Sequence, residues 1–237
     1  MNKYKSLDSL FEQEEMRNFE RTRRRNRRDR QGSKGKSFGG WVVKGNRPEE
    51  TCGSPENYYN SEEVERYSRI GGIRRTQEKL AYRILDLLKI PEGARFLDLG
   101  CGPGFSMTAY QNKGYRVIGI DMLAEMLAKA REKGLEVVEG DMRALQEHFQ
   151  AATFDVVVSA SALQWIKSKA DMLAVAKGVY YVLKPKGKIG IQFYPKSQEE
   201  LELFASAFVE SGFEGDIVKD NPDNHVKRTI YLVMKKL

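Results

Sequence analysis

The chain has 237 residues, enough for one α/β domain with an extension. It carries 40 Lys and Arg against 33 Asp and Glu, and residues 1–46, with 13 basic and 6 acidic side chains, hold the whole net charge of +7. Because it has no apolar run of 18 residues and only two cysteines, a membrane span and a disulfide framework are excluded, and we expect a reduced, cytoplasmic protein.

Residues 1–46 form an arginine-rich arm without a core-forming pattern, and its linker, QGSKGKSFGG, is rich in glycine, serine and lysine. Seven arginines occur within ten residues, at Arg21, Arg23, Arg24, Arg25, Arg27, Arg28 and Arg30. Guanidinium groups suit phosphates, so we expect a disordered arm that binds RNA or the ribosome. An inert solvated tail is the alternative, and a membrane-surface role is disfavoured because no sustained apolar face accompanies the charge.

Residues 47–91 are predicted to form a lid segment with a helix before the main domain. Tyr58, Tyr59 and Tyr67 interleave with acidic residues, and apolar residues at helical spacing predict a helix over 73–88. The apolar residues of this helix are Leu80, Ile84, Leu87 and Leu88. We expect it to pack on a sheet.

Strands and helices alternate in the main domain, residues 92–237. Five strands are predicted, with helices between them, over 95–100, 115–121, 135–141, 154–162 and 188–195. A turn over 184–187 precedes the fifth strand, and a helix and two more strands follow it, over 199–212, 214–220 and 228–236. This order predicts a parallel sheet with helices on both faces.

A glycine-rich loop, DLGCGPG (residues 98–104), follows the first strand. Nucleotide sites form at such strand-to-helix turns, at the carboxyl ends of parallel strands. The loop does not match the dinucleotide pattern G-x-G-x-x-G, and a plain tight turn is the alternative. Asp121 ends the second strand, where a carboxylate accepts hydrogen bonds from ribose hydroxyls, and Asp141 ends the third. The sequence therefore predicts a nucleotide-type cofactor at this edge.

The fourth strand runs into an amide and an indole, Gln164 and Trp165. A tryptophan face stacks on a flat ring and a glutamine hydrogen-bonds its edge, whereas packing of Trp165 in the core is the alternative. No His–Asp pair or lysine base adjoins them, and the two histidines, His148 and His225, have no second ligand nearby in the sequence. We therefore expect neither a general base nor a metal site.

The glycine loop, Asp121, Asp141 and the segment LKPKGKI resemble class I S-adenosylmethionine-dependent methyltransferases. The resemblance implies a Rossmann-like fold with a mostly parallel seven-stranded sheet that ends in an antiparallel hairpin. It implies S-adenosyl-L-methionine as cofactor, with Asp98 facing its ammonium group, and Gln164 and Trp165 as the catalytic pair that positions the acceptor. The cofactor-binding residues are then expected to be Asp98, Gly100, Cys101, Gly102, Gly104, Asp121, Met122, Asp141, Met142, Ser159, Tyr67 and Arg69.

More specific motifs lie outside the cofactor loop. They are Arg47-Pro48-Glu49, Tyr58-Tyr59, Tyr67-Ser68-Arg69-Ile70, Gln77, residues 159–165, Gln192-Phe193-Tyr194-Pro195 and Ser211-Gly212-Phe213. Over residues 47–236 they resemble the eukaryotic 18S ribosomal RNA (guanine-N7) methyltransferase family. The resemblance implies guanine-N7 methylation of small-subunit ribosomal RNA during ribosome biogenesis, with Tyr67 and Arg69 in a lid over the cofactor. Eukaryotic members carry their basic tail after the last strand, so a basic arm at the front indicates an archaeal relative.

The resemblance also implies a partner, a small zinc-binding activator protein that pairs along the third strand. Here Val137 and Val138 lie in a predicted sheet edge without a protecting proline, and an added strand would cover that edge. Shielding by the chain's own loops is the alternative. Two other functions stay open: methylation of a small carboxylate, which the Gln164-Trp165 pair also fits, and a non-catalytic ribosome-assembly factor that binds the cofactor for structure.

Overall fold

The computed structural model describes residues 37–38, 41–42, 47–224 and 228–237, so the seven arginines and all but four residues of the predicted arm lie outside the described residues. Two short strands, Ser37–Phe38 and Trp41–Val42, pair with each other. The strands of the main sheet are β1 Arg95–Leu99, β2 Arg116–Asp121, β3 Glu136–Glu139, β4 Phe154–Ala160, β5 Leu183–Phe193, β6 Phe213–Asp220 and β7 Thr229–Lys236. The helices are α1 Pro48–Thr51, α2 Pro55–Tyr58, α3 Ser61–Arg69, α4 Gly71–Leu88, α5 Phe105–Gln111, α6 Ala124–Arg131, α7 Leu145–His148, α8 Lys169–Val182 and α9 Gln198–Glu210.

The main sheet has the strand order β3-β2-β1-β4-β5-β7-β6. Strands β1 to β5 are parallel, and β7 runs antiparallel between β5 and β6. The predicted fold class, a mostly parallel seven-stranded Rossmann-like sheet with a final antiparallel hairpin, is confirmed. The order reverses direction between β1 and β4, which is where ligands bind in sheets of this kind.

Helices cover both faces of the sheet, and the central strands are buried on both sides. Phe96 and Val156 face a cluster formed with α4, α5 and α6, whereas Leu97 and Val157 face a cluster formed with α8 and α9. This alternation follows from the two-residue period of a strand. The continuous apolar run in β4 is typical of a strand buried on both faces.

Helix α4 lies close against β5 because that strand carries a glycine where the two meet. A side chain at Gly190 would come within 2.6 Å of Cγ2 of Ile84 and 2.9 Å of Cδ1 of Leu88. The helix begins two residues before its predicted start and ends at Leu88, and the cap residue Lys89 adopts a left-handed backbone with φ of 49°. The prediction of a helix that packs on the sheet is confirmed.

Two parts of the fold differ from expectation. Strand β5 begins at Leu183, so the predicted turn over 184–187 lies inside the strand. Lys186, in this part of the strand, has φ of 63°. Phe154 pairs with Leu183 and Val156 with Lys188, so the register between β4 and β5 shifts there. A bulge in β5 accommodates the additional residues, and the two strands stay paired on either side of it. The lid segment also contains three short helices, α1 to α3, before α4. None of the described helices is long and apolar enough to cross a membrane.

Candidate active site

A cavity of about 340 Å³ opens where β1, β2 and β4 end. The loops after these strands line it together with residues of the lid segment. The sequence-predicted site residues that line it are Tyr67, Gly100, Cys101, Gly102, Asp121, Met122, Asp141, Met142 and Trp165. The parallel topology brings these residues together because the carboxyl ends of neighbouring strands share one edge.

The glycine loop turns sharply from β1 into α5. The backbone N–H groups of Gly100 and Cys101 both donate to the carbonyl of Ile120, at 2.8 and 3.2 Å, which binds the loop to the end of β2. Gly100, Gly102 and Gly104 have φ of 65°, 53° and 79°, in the left-handed region that favours glycine. A side chain at Gly102 would meet nothing within 4 Å, whereas one at Gly104 would collide with Leu135. Gly102 therefore leaves open space beside the loop, and Gly104 allows close packing beneath it.

Asp121 ends β2 with both carboxylate oxygens directed at backbone amides. Its Oδ2 accepts from the N–H of Gly102 at 2.8 Å, and its Oδ1 accepts from the N–H of Leu123 at 3.0 Å. Burial raises the pKa of Asp121, and the backbone hydrogen bonds act in the opposite direction. A carboxylate has about four lone-pair sites, more than the backbone donors use, so Asp121 retains acceptor capacity for hydroxyl groups in the cavity.

Asp141 follows β3 and is held by its neighbour Arg143. Its Oδ1 accepts from the backbone N–H of Arg143 and its Oδ2 from the Nε, both at 2.8 Å. Burial opposes ionisation of Asp141, but the hydrogen bonds and charge of Arg143 outweigh it and lower the pKa of the carboxyl. Arg143 also lies 3.6 Å from Asp171, another cavity residue that sequence reasoning missed.

Asp98 lies beneath the loop, outside the cavity lining. The residue is 1% exposed, and its Oδ2 accepts a 2.5 Å hydrogen bond from the hydroxyl of Ser106. Burial raises the pKa of Asp98 to about 7, with a further contribution from the charge of Asp121, while the Ser106 hydrogen bond lowers it. A contact between Asp98 and a cofactor ammonium group stays a prediction.

Aromatic rings cluster around Trp165 at the cavity. The indole lies 6.1 Å from the rings of both Tyr58 and Tyr59, and Tyr59 meets Tyr67 edge-on at 5.6 Å. Tyr67 stacks with Phe105, the first residue of α5, at 6.2 Å. Burial raises the pKa of Tyr67 to about 12, so its hydroxyl is neutral at physiological pH. This aromatic cluster (Tyr58, Tyr59, Tyr67, Phe105 and Trp165) connects the glycine-loop side of the cavity to the end of β4.

The remaining predicted residues lie outside the cavity lining. Gln164 donates from Nε2 to the carbonyl of Ser161 at 2.7 Å, and Ser159 is fully buried and donates to the carbonyl of Leu99 at 2.8 Å. Arg69 is exposed and pairs with Glu65. The predicted roles of these side chains stay predictions. No group of three potential metal-ligating side chains occurs within the described ranges, and His225 lies outside them.

Sequence reasoning missed the lid residues from Gly53 to Glu56, and Arg143, Lys167 and Asp171, all of which line the cavity. Arg143 could have been predicted from the sequence, because it lies two residues after Asp141, an aspartate at the end of a strand. No periodicity or motif marks Gly53 to Glu56, which reach the cavity only through tertiary packing.

Comparisons with known proteins define the class. Residues 97–191 match a family model described as "Methyltransferase domain". A putative S-adenosyl-L-methionine-dependent methyltransferase from Methanococcus maripaludis aligns with a TM-score of 0.62 and 16% identity, over 74% of this chain and 92% of the other. A Pyrococcus horikoshii protein aligns with a TM-score of 0.59 and 22% identity, over 72% and 93%. The fold is therefore that of a class I S-adenosylmethionine-dependent methyltransferase.

Sequence relatives define the family. The 18S rRNA (guanine-N(7))-methyltransferase of Bos taurus is 35% identical over 205 residues, which is 81% of this chain and 72% of that protein. The 18S rRNA (guanine(1575)-N(7))-methyltransferase of Saccharomyces cerevisiae is 32% identical over 192 residues, 75% and 68% of the two chains. The chain belongs to the 18S rRNA (guanine-N7) methyltransferase family, and the resemblance predicted from its motifs is confirmed.

Proposed function

We propose that this protein transfers a methyl group from S-adenosyl-L-methionine to N7 of a guanine in small-subunit ribosomal RNA. The observation that carries the proposal is one cavity that joins the glycine loop and Asp121 to the aromatic cluster around Trp165. Relatives named 18S rRNA (guanine-N(7))-methyltransferase support guanine as the acceptor.

The residues present fit the cofactor. Asp121 has free lone pairs for ribose hydroxyls, and Gly102 leaves open space for a ligand beside the loop. Met142 and Asp141 lie at the end of the cavity next to β3, where an adenine ring would contact the thioether and the carboxylate. When bound, the cofactor supplies a methyl group on a positively charged sulfur, which a lone pair on the acceptor attacks.

Guanine N7 carries a lone pair and no proton, so its methylation requires orientation and not proton removal. Trp165 and Tyr59 offer ring faces on which a guanine stacks, and stacking of this kind is worth about 1–3 kcal/mol per base. Correct placement of the reacting atoms supplies up to about 7–11 kcal/mol in favourable cases. The chain's contribution to the reaction is therefore binding and orientation.

Two further contacts belong to the proposal. The arginines between Arg21 and Arg30 add salt-dependent affinity for RNA phosphates. A small zinc-binding activator protein pairs with β3, which lies at a sheet edge and hydrogen-bonds only β2 among the described strands.

The test is to incubate small ribosomal subunits with this protein and labelled S-adenosyl-L-methionine, with and without a zinc-binding activator, and to map the label. We expect label on N7 of one guanine of the small-subunit RNA. If a parallel reaction with a small carboxylic acid labels the acid and the RNA stays unlabelled, the protein is a metabolite methyltransferase instead. Rescue of subunit assembly without any methyl transfer would show an assembly factor.

Trp165 provides a matched pair of variants for the same assay. We expect Trp165→Ala to lower methyl transfer to RNA by roughly 10- to 100-fold, because it removes a stacking surface worth about 1–3 kcal/mol. Trp165→Phe retains a ring and should keep most of the activity. Binding of S-adenosyl-L-methionine, measured by calorimetry, should be the same in both variants. Full activity of Trp165→Ala would show that the indole serves packing alone.

A further inference from the structure

Ser161 has a strained backbone conformation at the edge of the cavity. It is the first residue after β4, it lines the cavity, and its φ is 60°. This left-handed region is energetically unfavourable for a residue with a Cβ, so the conformation persists only where the surrounding structure enforces it. Such strain is found preferentially at functional sites.

Three hydrogen bonds hold Ser161 in this conformation. Its backbone N–H donates to the carbonyl of Gln192 at 3.0 Å, and its hydroxyl donates to Oε1 of the same Gln192 at 2.9 Å. Its own carbonyl accepts from Nε2 of Gln164 at 2.7 Å. Gln192 lies in β5 and is fully buried, so the strand next to β4 fixes the direction in which the chain leaves β4.

The direction set at Ser161 determines the position of Trp165. The chain passes from Ser161 through Ala162 into a single helical turn, Leu163–Trp165, in which the N–H of Trp165 donates to the carbonyl of Ala162 at 3.1 Å. The turn places the indole against Tyr58 and Tyr59. A rotation of the backbone at Ser161 would therefore move the indole relative to the lid.

Stability alone does not explain why the side chains at Gln164 and Gln192 are amides. Oε1 of Gln164 and Nε2 of Gln192 are buried and find no hydrogen-bond partner within the described part of the chain. A buried polar atom without a partner costs free energy, and an apolar side chain of similar volume at position 192 would avoid that cost. What the amide of Gln192 provides is an acceptor for the hydroxyl of Ser161.

The same place is tied to the start of the lid segment. Tyr194 follows β5, and its carbonyl accepts from Nη1 of Arg47 at 2.8 Å. The Ser161–Gln192 pair thus lies between β4, β5 and the lid.

We propose that Ser161 and Gln192 are positioning residues that act as a unit to set Trp165 as one wall of the acceptor pocket. This inference rests on the proposed function, because it assigns the acceptor pocket to the aromatic cluster. It predicts that loss of either side chain impairs use of the acceptor and leaves cofactor binding intact.

The experiment uses Ser161→Ala, Gln192→Met and the double variant in the full chain. Trp41→Phe is added throughout, so that Trp165 is the one remaining tryptophan. We expect each variant to lower kcat for RNA methylation by roughly 10- to 100-fold, as a small misplacement does, with the Kd for S-adenosyl-L-methionine unchanged. The double variant should be no worse than either single one. Trp165 emission should shift to the red and become more accessible to acrylamide.

Matched controls are Ser206→Ala and Gln198→Met, two polar side chains of α9 outside the cavity, which should leave kcat and emission unchanged. If Ser161→Ala fails to fold, Ser161→Gly replaces it, because glycine adopts the positive φ without strain. Folded variants with wild-type kcat and wild-type Trp165 emission would overturn the inference. If the wild-type protein labels no RNA, the proposed function fails, and the emission of Trp165 still decides whether the pair positions the indole.

Discussion

At the scale of single residues, two aspartates at the carboxyl ends of neighbouring strands, Asp98 in β1 and Asp121 in β2, have different environments. Asp121 faces the cavity and holds two backbone amides, whereas Asp98 is sealed beneath the loop with the hydroxyl of Ser106. Burial raises the pKa of both carboxyls, and for Asp98 it reaches about 7. Asp98 is therefore partly protonated near neutral pH, and this has a measurable effect on stability.

Asp98→Asn should make the free energy of unfolding less dependent on pH. The ordinary pKa of an aspartate is 3.8, and in the folded protein that of Asp98 is about 7, so between these values the folded state binds more protons than the unfolded state. Stability from this group is therefore present at low pH and lost as pH rises from about 4 to 7. The variant should match the wild type at pH 4 and exceed it at pH 8 by up to about 4 kcal/mol.

Urea denaturation at a series of pH values, without cofactor, measures this difference. Ser106→Ala is the companion variant, because loss of the hydroxyl donor should raise the pKa of Asp98 further and move the transition to higher pH. Parallel stability curves for Asp98→Asn and the wild type would show that Asp98 titrates normally.

Gly102 and Gly104 allow a second comparison within the loop. Both have a positive φ, so an alanine at either position costs about 1–2 kcal/mol of stability. At Gly104 the methyl group also collides with Leu135, which adds about 1–3 kcal/mol for overpacking, whereas at Gly102 it points into open space. We expect Gly104→Ala to be the less stable protein and Gly102→Ala to lose more affinity for S-adenosyl-L-methionine. Urea denaturation and calorimetry would show whether this ranking holds or is reversed.

At the scale of elements, the sheet has two open edges with different character. Strand β3 pairs only with β2 within the described residues, and Val137 and Val138 are half-buried. Strand β6 pairs only with β7 there, and residues 214–216, which include Glu214 and Asp216, are exposed. Charged side chains discourage edge pairing; those of β3, Glu136 and Glu139, lie only at its two ends, whereas β6 also carries charges within the strand, so β3 is the better surface for an added strand.

Hydrogen exchange of the backbone amides tests this preference. If a small zinc-binding activator pairs with β3 as proposed, its addition should slow exchange of those amides of Glu136–Glu139 that point away from β2, because an added strand hydrogen-bonds them. The amides of Phe213–Asp220 at the opposite edge serve as the internal control and should not change. Protection at β6, or binding without protection at β3, would contradict pairing at this edge.

Much of this element pattern follows from the sequence. Periodicity predicts the strands and long helices because each buries one face or both, and Asp121, Asp141 and the glycine loop meet because strand ends share an edge. Asp98 and Ser159 fall outside the cavity because each lies one residue before the end of its strand and is buried under packed elements. The short helices α1 to α3 have no periodic signal, and the place of Gly53 to Glu56 depends on tertiary packing.

At the scale of the whole molecule, charge is divided between two parts of the chain. Residues 1–46 hold the entire net charge of +7, and the rest has equal numbers of acidic and basic side chains. The part that contains the cavity is therefore electrically balanced and the arm is strongly basic. This division favours an arm that supplies affinity and a domain that supplies selectivity.

Replacement of the seven arginines between Arg21 and Arg30 with glutamine should weaken RNA binding and make it less salt-dependent. The slope of log K against log salt should fall by about 0.7–0.9 for each phosphate that the arm no longer neutralises. Replacement of the same residues with lysine keeps the charge and should keep most of the slope. Cofactor affinity should not change in either variant. Equal slopes for the glutamine variant and the wild type, measured by filter binding, would show that the arm does not bind RNA.

The place of β7 inside the sheet has a consequence for biosynthesis. Strand β6 is made before β7 but hydrogen-bonds only to β7 among the described strands, and β7 also closes the outer side of β5. During synthesis on a ribosome, one edge of β5 and the edges of β6 therefore stay unpaired until Thr229–Lys236 has been made. Unpaired edges of this kind recruit other chains, so a nascent chain that stalls before Thr229 is more exposed to aggregation than one that stalls after Lys236.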